Sequence, residues 1–417
     1  MSALRGQKLY PGARARLLLG AEFLGQCQQY SATLIIPLHL VLSLHQGFVI
    51  AASAFLLYSV GSTLSGIVLS RFSSKRSLRA LVIISTISQA AIWGVSPLFP
   101  GFWFLPLVAV AGFTGIPLLH TAHRSLDLIA GQERLLESHH RQTLVGGLGA
   151  ILGSIGVPLL IASSSTATVL QCVAGLSFIT GSLLLVAGST ILGRKHPDFG
   201  TAAEEKPGLD DASEREQFRA HPSYPRTAVL GTAVLIGGLL LNGTELTIVA
   251  VLVSGDHILS LGLVLICWTA SAVLGSLSYR FMTRQIPLPV LLLGLGLLNI
   301  PLIFADGAIS LMALCVLPSF FGSVLYSTVM NQTASCFAGP TQTFALRVVQ
   351  GQWTIGLAFG PLMVSLLVEG IHGLPRTTGF LLCALVGVVA AAQVHSRSGW
   401  ADNAVAARRA TDEDSIS

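Results

Sequence analysis

The sequence predicts an all-α membrane protein of twelve transmembrane helices in two pseudo-symmetric six-helix halves, and three observations carry that expectation. Charged residues make up only 10% of the 417, and hydrophobic residues 52%, whereas a soluble domain is roughly 25% charged. The mean hydropathy is +0.73, so the chain lacks the polar residues to cover a water-facing surface, which argues against a soluble enzyme. The charges also cluster, at 1–16, 71–79, 124–141, 194–226, 280–284 and 397–417. Outside these segments only Glu22, Glu245, Asp256, Asp306, Arg347, Glu369 and Arg376 remain.

Between the clusters lie apolar runs near the ~20 residues with which a helix crosses ~30 Å of hydrocarbon. They place spans at 17–42, 48–70, 80–98, 102–122, 142–163, 167–192, 228–253, 258–279, 287–305, 308–330, 344–368 and 376–395. The runs are too long and too unalternating for a barrel, and a backbone in lipid must satisfy its own hydrogen bonds, so each is a helix. Arg5, Lys8, Arg14 and Arg16 precede the first run as they would a signal peptide. That run is too long for one and lacks a small-residue cleavage site, so it is an uncleaved first span.

Orientation follows from Lys and Arg, which are retained on the cytoplasmic side. Twelve spans with a cytoplasmic N-terminus put every Lys and Arg except Arg376 on that side. The expected organisation is a cytoplasmic tail at 1–16, a six-helix half at 17–192, a charged linker at 193–227, a second half at 228–395 and a cytoplasmic tail at 396–417. The linker mixes both signs of charge with four prolines, the composition of a flexible tether, and the final tail has a disordered composition. The six cysteines form no CxxC or Cys/His pattern, so neither a disulfide framework nor a zinc site is expected.

The halves echo one another. Span 2 ends Gly66-x-x-x-Ser70-Arg71-Phe72, followed by Lys75 and Arg76, and span 8 ends Gly275-x-x-x-Tyr279-Arg280-Phe281, followed by Arg284. Gly153, Gly156 and Pro158 of span 5 are matched by Gly356, Gly360 and Pro361 of span 11. Such duplication is a transporter hallmark. On these features the chain resembles the major facilitator superfamily from Leu17 to about His395. The resemblance implies two six-helix halves around a central cavity lined by spans 1, 4, 7 and 10, and solute movement by alternating access. In that family the turn after span 2 reads G-x-x-x-D-R-x-G-R-R, a cytoplasmic gate latch whose glycine permits close helix approach. Gly66, Arg71, Lys75 and Arg76 match it, with Gly275 and Arg280 their counterparts, but Ser70 and Ser73 replace the acidic residue and the second glycine. The run from Gly146 through Gly149 and Gly153 to Pro158 resembles the span 5 motif of the family's antiporters, and equally the small-residue packing of one membrane helix on another.

Ionisable groups inside spans are costly and point to function. Gln26, Gln29 and Thr33 fall within about 40° of Glu22 on span 1, with Tyr30 at the margin. A stripe of this kind faces either a water-accessible path or a neighbouring helix. Span 7 carries Asn242 and Glu245 on one face, beside Thr244 and Thr247. A carboxylate in low dielectric can load and release a proton as its exposure changes, so Glu22 and Glu245 are the candidate proton carriers; structural pairing is the alternative for both. Arg347 enters span 11 with Gln350 and Trp353 near it, to contact a solute or carboxylate, or to snorkel to phosphates.

The sequence thus favours a secondary transporter that exports a drug-like, sugar or metabolite solute by proton-coupled antiport, with Gln26, Gln29, Tyr30, Asn242, Tyr326, Gln350 and Trp353 contacting the solute. Sugar-efflux and multidrug-efflux branches fit equally. An importer or facilitator of a neutral nutrient is the alternative, and a non-transporting receptor or scaffold the next. The partners implied are membrane lipid, a small-molecule substrate and protons, with no nucleic acid, no metal and no cofactor. The expected setting is the cell membrane, multi-pass, as a monomer. No G-x-x-x-x-G-K-[ST] is present for ATP hydrolysis, and no nucleophile or paired carboxylates for membrane-embedded catalysis.

Overall fold

A computed structural model gives the protein's structure and describes residues 13–72, 78–130, 135–187, 224–255, 257–282, 286–337, 340–371 and 375–414. Twelve α-helices lie among them. The first six are α1 (Ala13–Leu38), α2 (Phe48–Phe72), α3 (Leu78–Val95), α4 (Gly101–Ala130), α5 (Leu135–Ser163) and α6 (Thr166–Ala187). The other six are α7 (Tyr224–Ser254), α8 (Ile258–Ser278), α9 (Leu288–Leu297), α10 (Ala308–Cys336), α11 (Pro340–Gly370) and α12 (Thr378–Asp414). On length and composition nine of the described helices can cross a membrane, and Gly101–Gly115 and Leu288–Phe304 are shorter apolar stretches. The remaining helix, α1, is rich in polar side chains.

The chain divides into two compact units, Met1–Pro197 and Asp198–Ser417. In the first, the main helix pairs are α1 with α5, α1 with α6, α2 with α4, and α3 with α6; in the second they are α7 with α11, α7 with α12, α8 with α10, and α9 with α12. The same pairing recurs at the same positions, so the repeat seen in the motifs extends to the packing. Each half is built on its first helix. The apolar stretch of α7 is 67% buried, against 33–44% in the other long apolar helices. At the start of α1, Ala15, Leu18 and Ala21 pack against Val82, Leu118 and Leu184 of α3, α4 and α6.

Lipid offers no hydrophobic drive between helices, so close backbone approach through small residues holds the pairs. A Cβ at Gly149 or Gly153 of α5 would strike the carbonyl of Phe23 or Cys27 on α1. Correspondingly, Gly356 and Gly360 of α11 lie against the carbonyls of Leu235 and Leu239 on α7. The glycine run of α5 therefore has a packing role, the same one its repeat partner has.

Three expectations need correction. The segment 124–141, expected to link spans, is helical over 124–130 and 135–141, as α4 and α5 outrun their apolar windows. The tail from Ser396 does not open into coil: α12 continues to Asp414, because this stretch has five alanines, two adjacent arginines and no proline. Span 9 is helical only to Leu297 and ends in a 3-10 turn at Pro301–Phe304, since Pro301 donates no backbone hydrogen bond. The linker at 193–223 and the tail at 1–12 lie outside the described residues.

Candidate functional site

In the N-terminal half a polar network ties α1 to its neighbours. Gln28 Nε2 donates to Gln89 Oε1 at 3.0 Å, and Trp93 Nε1 donates to the same oxygen at 2.8 Å. Gln89 Nε2 donates in turn to Thr114 Oγ1 at 2.7 Å and to the Ala111 carbonyl. Gln89 and Trp93 are fully buried and Gln28 nearly so, so α1, α3 and α4 are joined through one amide. Beside it, Tyr58 of α2 donates to Gln29 Oε1 at 3.0 Å, with its ring 6.5 Å from Trp93. None of Gln28, Tyr58, Gln89, Trp93 and Thr114 was a sequence candidate. Gln89 gave a usable signal, as an amide inside an otherwise apolar span.

The expected stripe on α1 divides. Glu22 is fully buried and accepts from Gln26 Nε2 at 3.0 Å, while Gln26 also lies against Gly146 of α5. Glu22 belongs to the packed interior of the half-bundle, while Gln26 is half-buried where α5 crosses α1 at Gly146 and Gly149. Gln29 is half-buried, Tyr30 is 42% exposed, and Thr33 Oγ1 donates to the Tyr30 carbonyl. Of the predicted stripe only Glu22 is fully buried; Gln26, Gln29 and Thr33 are half-buried and Tyr30 is exposed.

In the C-terminal half, Asn242 Nδ2 donates to the Leu357 carbonyl of α11 at 3.0 Å. Glu245, one turn on, is half-buried, with Trp268 of α8 as its side-chain hydrogen-bonding partner. No ion pair to Glu245 occurs among the described residues. Thr244 points the other way and donates to Asn299 Oδ1 at 2.7 Å, both residues being fully buried, and Thr247 bonds within its own helix. The hydroxyls beside Glu245 in sequence are thus structural. Tyr326 of α10 and Trp353 of α11 form an aromatic pair with centroids 4.8 Å apart, both half-buried, and Gly237 and Gly238 of α7 seat the indole. Arg347 and Gln350 are exposed on α11, with Gln350 three residues before Trp353 and so beside it on the helix surface.

The two motif glycines differ. Gly275 lies against the Phe320 carbonyl of α10, as close approach requires, but a Cβ at Gly66 would meet nothing within 4 Å. Among the described residues nothing packs on Gly66. Tyr279, at the motif's acidic position in the second half, accepts a hydrogen bond from Asn331 Nδ2 of α10 at 2.9 Å, a neutral tie where the motif carries a charge. The Arg71 and Arg280 side chains, and Lys75 and Arg76, lie outside the described set. No group of metal-ligating side chains occurs among the described residues.

No family model matches the sequence, and no curated protein matches it. Solved structures do match. The nucleoside transporter NupG superposes with a TM-score of 0.71 at 14% identity, over 93% of this chain and 99% of that one. The fold is that of the major facilitator transporters. A bacterial homologue of the human lysosomal transporter Spinster gives 0.68 at 10% identity, over 96% and 98%. A POT family transporter in complex with 5-aminolevulinic acid gives 0.68 at 13% identity, over 93% and 96%. The major facilitator fold is thus established across nearly the whole chain, including both six-helix halves.

Proposed function

We propose that the protein is a proton-coupled secondary transporter that moves a small organic solute across the cell membrane by alternating access. The observation that carries this is Glu245: a half-buried carboxylate partway along the most buried apolar helix, beside Trp268 and with no cationic partner among the described residues. A carboxylate in such a place is costly unless it is used, and it can exchange a proton whenever its face meets water. Glu22, packed inside its half-bundle against Gln26, is the lesser proton candidate.

The solute-facing groups are Asn242, Tyr326 and Trp353 in the C-terminal half and Gln29 and Tyr30 in the N-terminal half. Amides, a phenol and an indole suit a neutral or cationic solute with hydrogen-bonding groups and a planar or apolar portion that can lie on an aromatic face. The nucleoside specificity named for NupG is compatible with that chemistry. The direction we propose is export by antiport, supported by the scarcity of fixed charge on these faces. The glycine run of α5 lends that direction nothing, since its glycines are used in packing on α1.

The test is flux in proteoliposomes, with solutes chosen by comparing the contents of cells that make the protein with those that lack it. An imposed proton gradient should drive accumulation in the wild type, and Glu245→Gln should abolish that drive while leaving exchange of solute for solute. Flux indifferent to both the gradient and the substitution would eliminate coupling and leave facilitated uptake.

A further inference from the structure

At the far end of α1 from the chain's N-terminus lies an imidazole that the proposed solute and proton faces do not use. His39 opens a five-residue π-helical turn, His39–Ser43, and is only 3% exposed. Its Nδ1 is 2.7 Å from Thr166 Oγ1, the first residue of α6, and the Thr166 hydroxyl also bonds the Ser43 hydroxyl. The Phe104 ring of α4 covers it with centroids 5.2 Å apart. Nε2 is buried and has no hydrogen-bond partner among the described residues. π-helical turns are frequent at functional positions, and here the turn at the end of α1 joins an exposed Ser43 to the buried ring one turn back.

Buried N–H groups are stranded more rarely than acceptors, so the tautomer assigned is Nδ1–H donating to Thr166, with the lone pair on Nε2. We propose that His39, with Thr166 and Ser43, is a proton-binding site at this end of the N-terminal half, and that its protonation releases the end of α1 from the start of α6. When the site opens to the aqueous phase a proton from solution adds to Nε2, the neutral ring becomes an imidazolium, and Nδ1–H can keep its bond to Thr166. The new Nε2–H finds no acceptor in the arrangement described. It is satisfied only when water reaches it, which requires the contacts of α1 with α6 and Phe104 to open.

No fixed charge answers the imidazolium. Residues 43–70, 96–123 and 160–187, which cover α6 and the nearby stretches of α2, α4 and the end of α5, contain no Asp, Glu, Lys or Arg. The titratable groups on the surrounding elements are the exposed His45, past the end of α1 with φ of 49°, Arg14, Arg16, Glu22, Cys27 and Tyr30 on α1, Tyr58 and Arg71 on α2, His120, His123, Arg124 and Asp127 on α4, and the exposed Cys172 on α6. Of these only His45 sits near this end in sequence, so it is the proper control. Because the opened form takes up the proton, acid favours opening, with a slope of up to about tenfold in the opening equilibrium per pH unit for one linked proton.

The experiment is amide hydrogen exchange on the full-length protein in nanodiscs, from about pH 7.5 to about pH 5.5, the range where histidine charge changes, corrected for intrinsic chemical exchange. In peptides covering 36–46 and 160–170, exchange should rise several-fold per pH unit as acid is added, while peptides of α7 stay constant. His39→Gln should remove the rise and His45→Gln should preserve it. A flat wild-type response, a rise that survives His39→Gln, or a rise abolished by His45→Gln overturns the proposal. Should His39→Gln not fold, the wild-type response and the His45→Gln control still decide.

Discussion

Replacing Gln89 by leucine probes how the N-terminal half is held together. The change keeps side-chain volume but removes the oxygen that accepts from both Gln28 Nε2 and Trp93 Nε1, leaving two buried donors with no partner. A stranded donor costs ~1–3 kcal/mol. Hydrogen bonds between membrane helices are worth about 0.6 kcal/mol on average and up to about 1.7, because the unfolded chain in lipid finds partners too. The Trp93 ring and the Gln28 amide are both enclosed, so the upper part of the membrane range applies to each, and Gln89→Leu should destabilise the half by roughly 2–4 kcal/mol. Reversible unfolding in mixed micelles reads this directly. Adding Gln28→Leu removes one stranded donor, so the double variant should be more stable than the sum of the two losses by roughly 1 kcal/mol. A single-variant loss below about 0.5 kcal/mol, or strict additivity, would show that the network is incidental to the packing.

Gly356→Val should fail to fold or lose several kcal/mol, since its side chain meets the Leu235 carbonyl. Gly66→Ala should instead be neutral or stabilising by ~0.5–1 kcal/mol in the same unfolding assay, there being open space at that position. Trp353→Ala should weaken solute affinity by roughly tenfold through loss of the ring face paired with Tyr326, whereas Tyr326→Phe should leave it within about threefold; a transport KM series checks both. Thr244→Val, which breaks the bond to Asn299 without touching the solute face, should cost about 1 kcal/mol of stability with KM unchanged.

The architecture was readable because lipid leaves a chain few options: uncharged runs of span length fold mainly as helices, and the glycines repeated in α5 and α11 mark the same close packing. What one helix touches was harder to read. Helical phase placed Glu22, Gln26 and Gln29 on one stripe of α1, yet that stripe meets α5 at Gly146 and α2 at Tyr58, so Glu22 is enclosed while Gln26 and Gln29 are half-buried. Gln28, a single residue off the stripe, proved to be the residue bonded to α3. Gly66 and Gly275 share a motif but not a contact, because approach depends on the partner helix, which no local pattern records. His39 and Thr166, 127 residues apart, meet only in the folded half. The helical continuation to Asp414 was missed because charge was taken as a sign of coil, where alanine content decided.

The most direct test of proton-coupled transport through Glu245 is to follow internal pH with a trapped dye in proteoliposomes while a transported solute is added. The wild type should move protons in step with solute, and Glu245→Gln should exchange solute with no pH change. Equal proton movement in the two proteins, or solute movement in the wild type with none, would contradict the assignment.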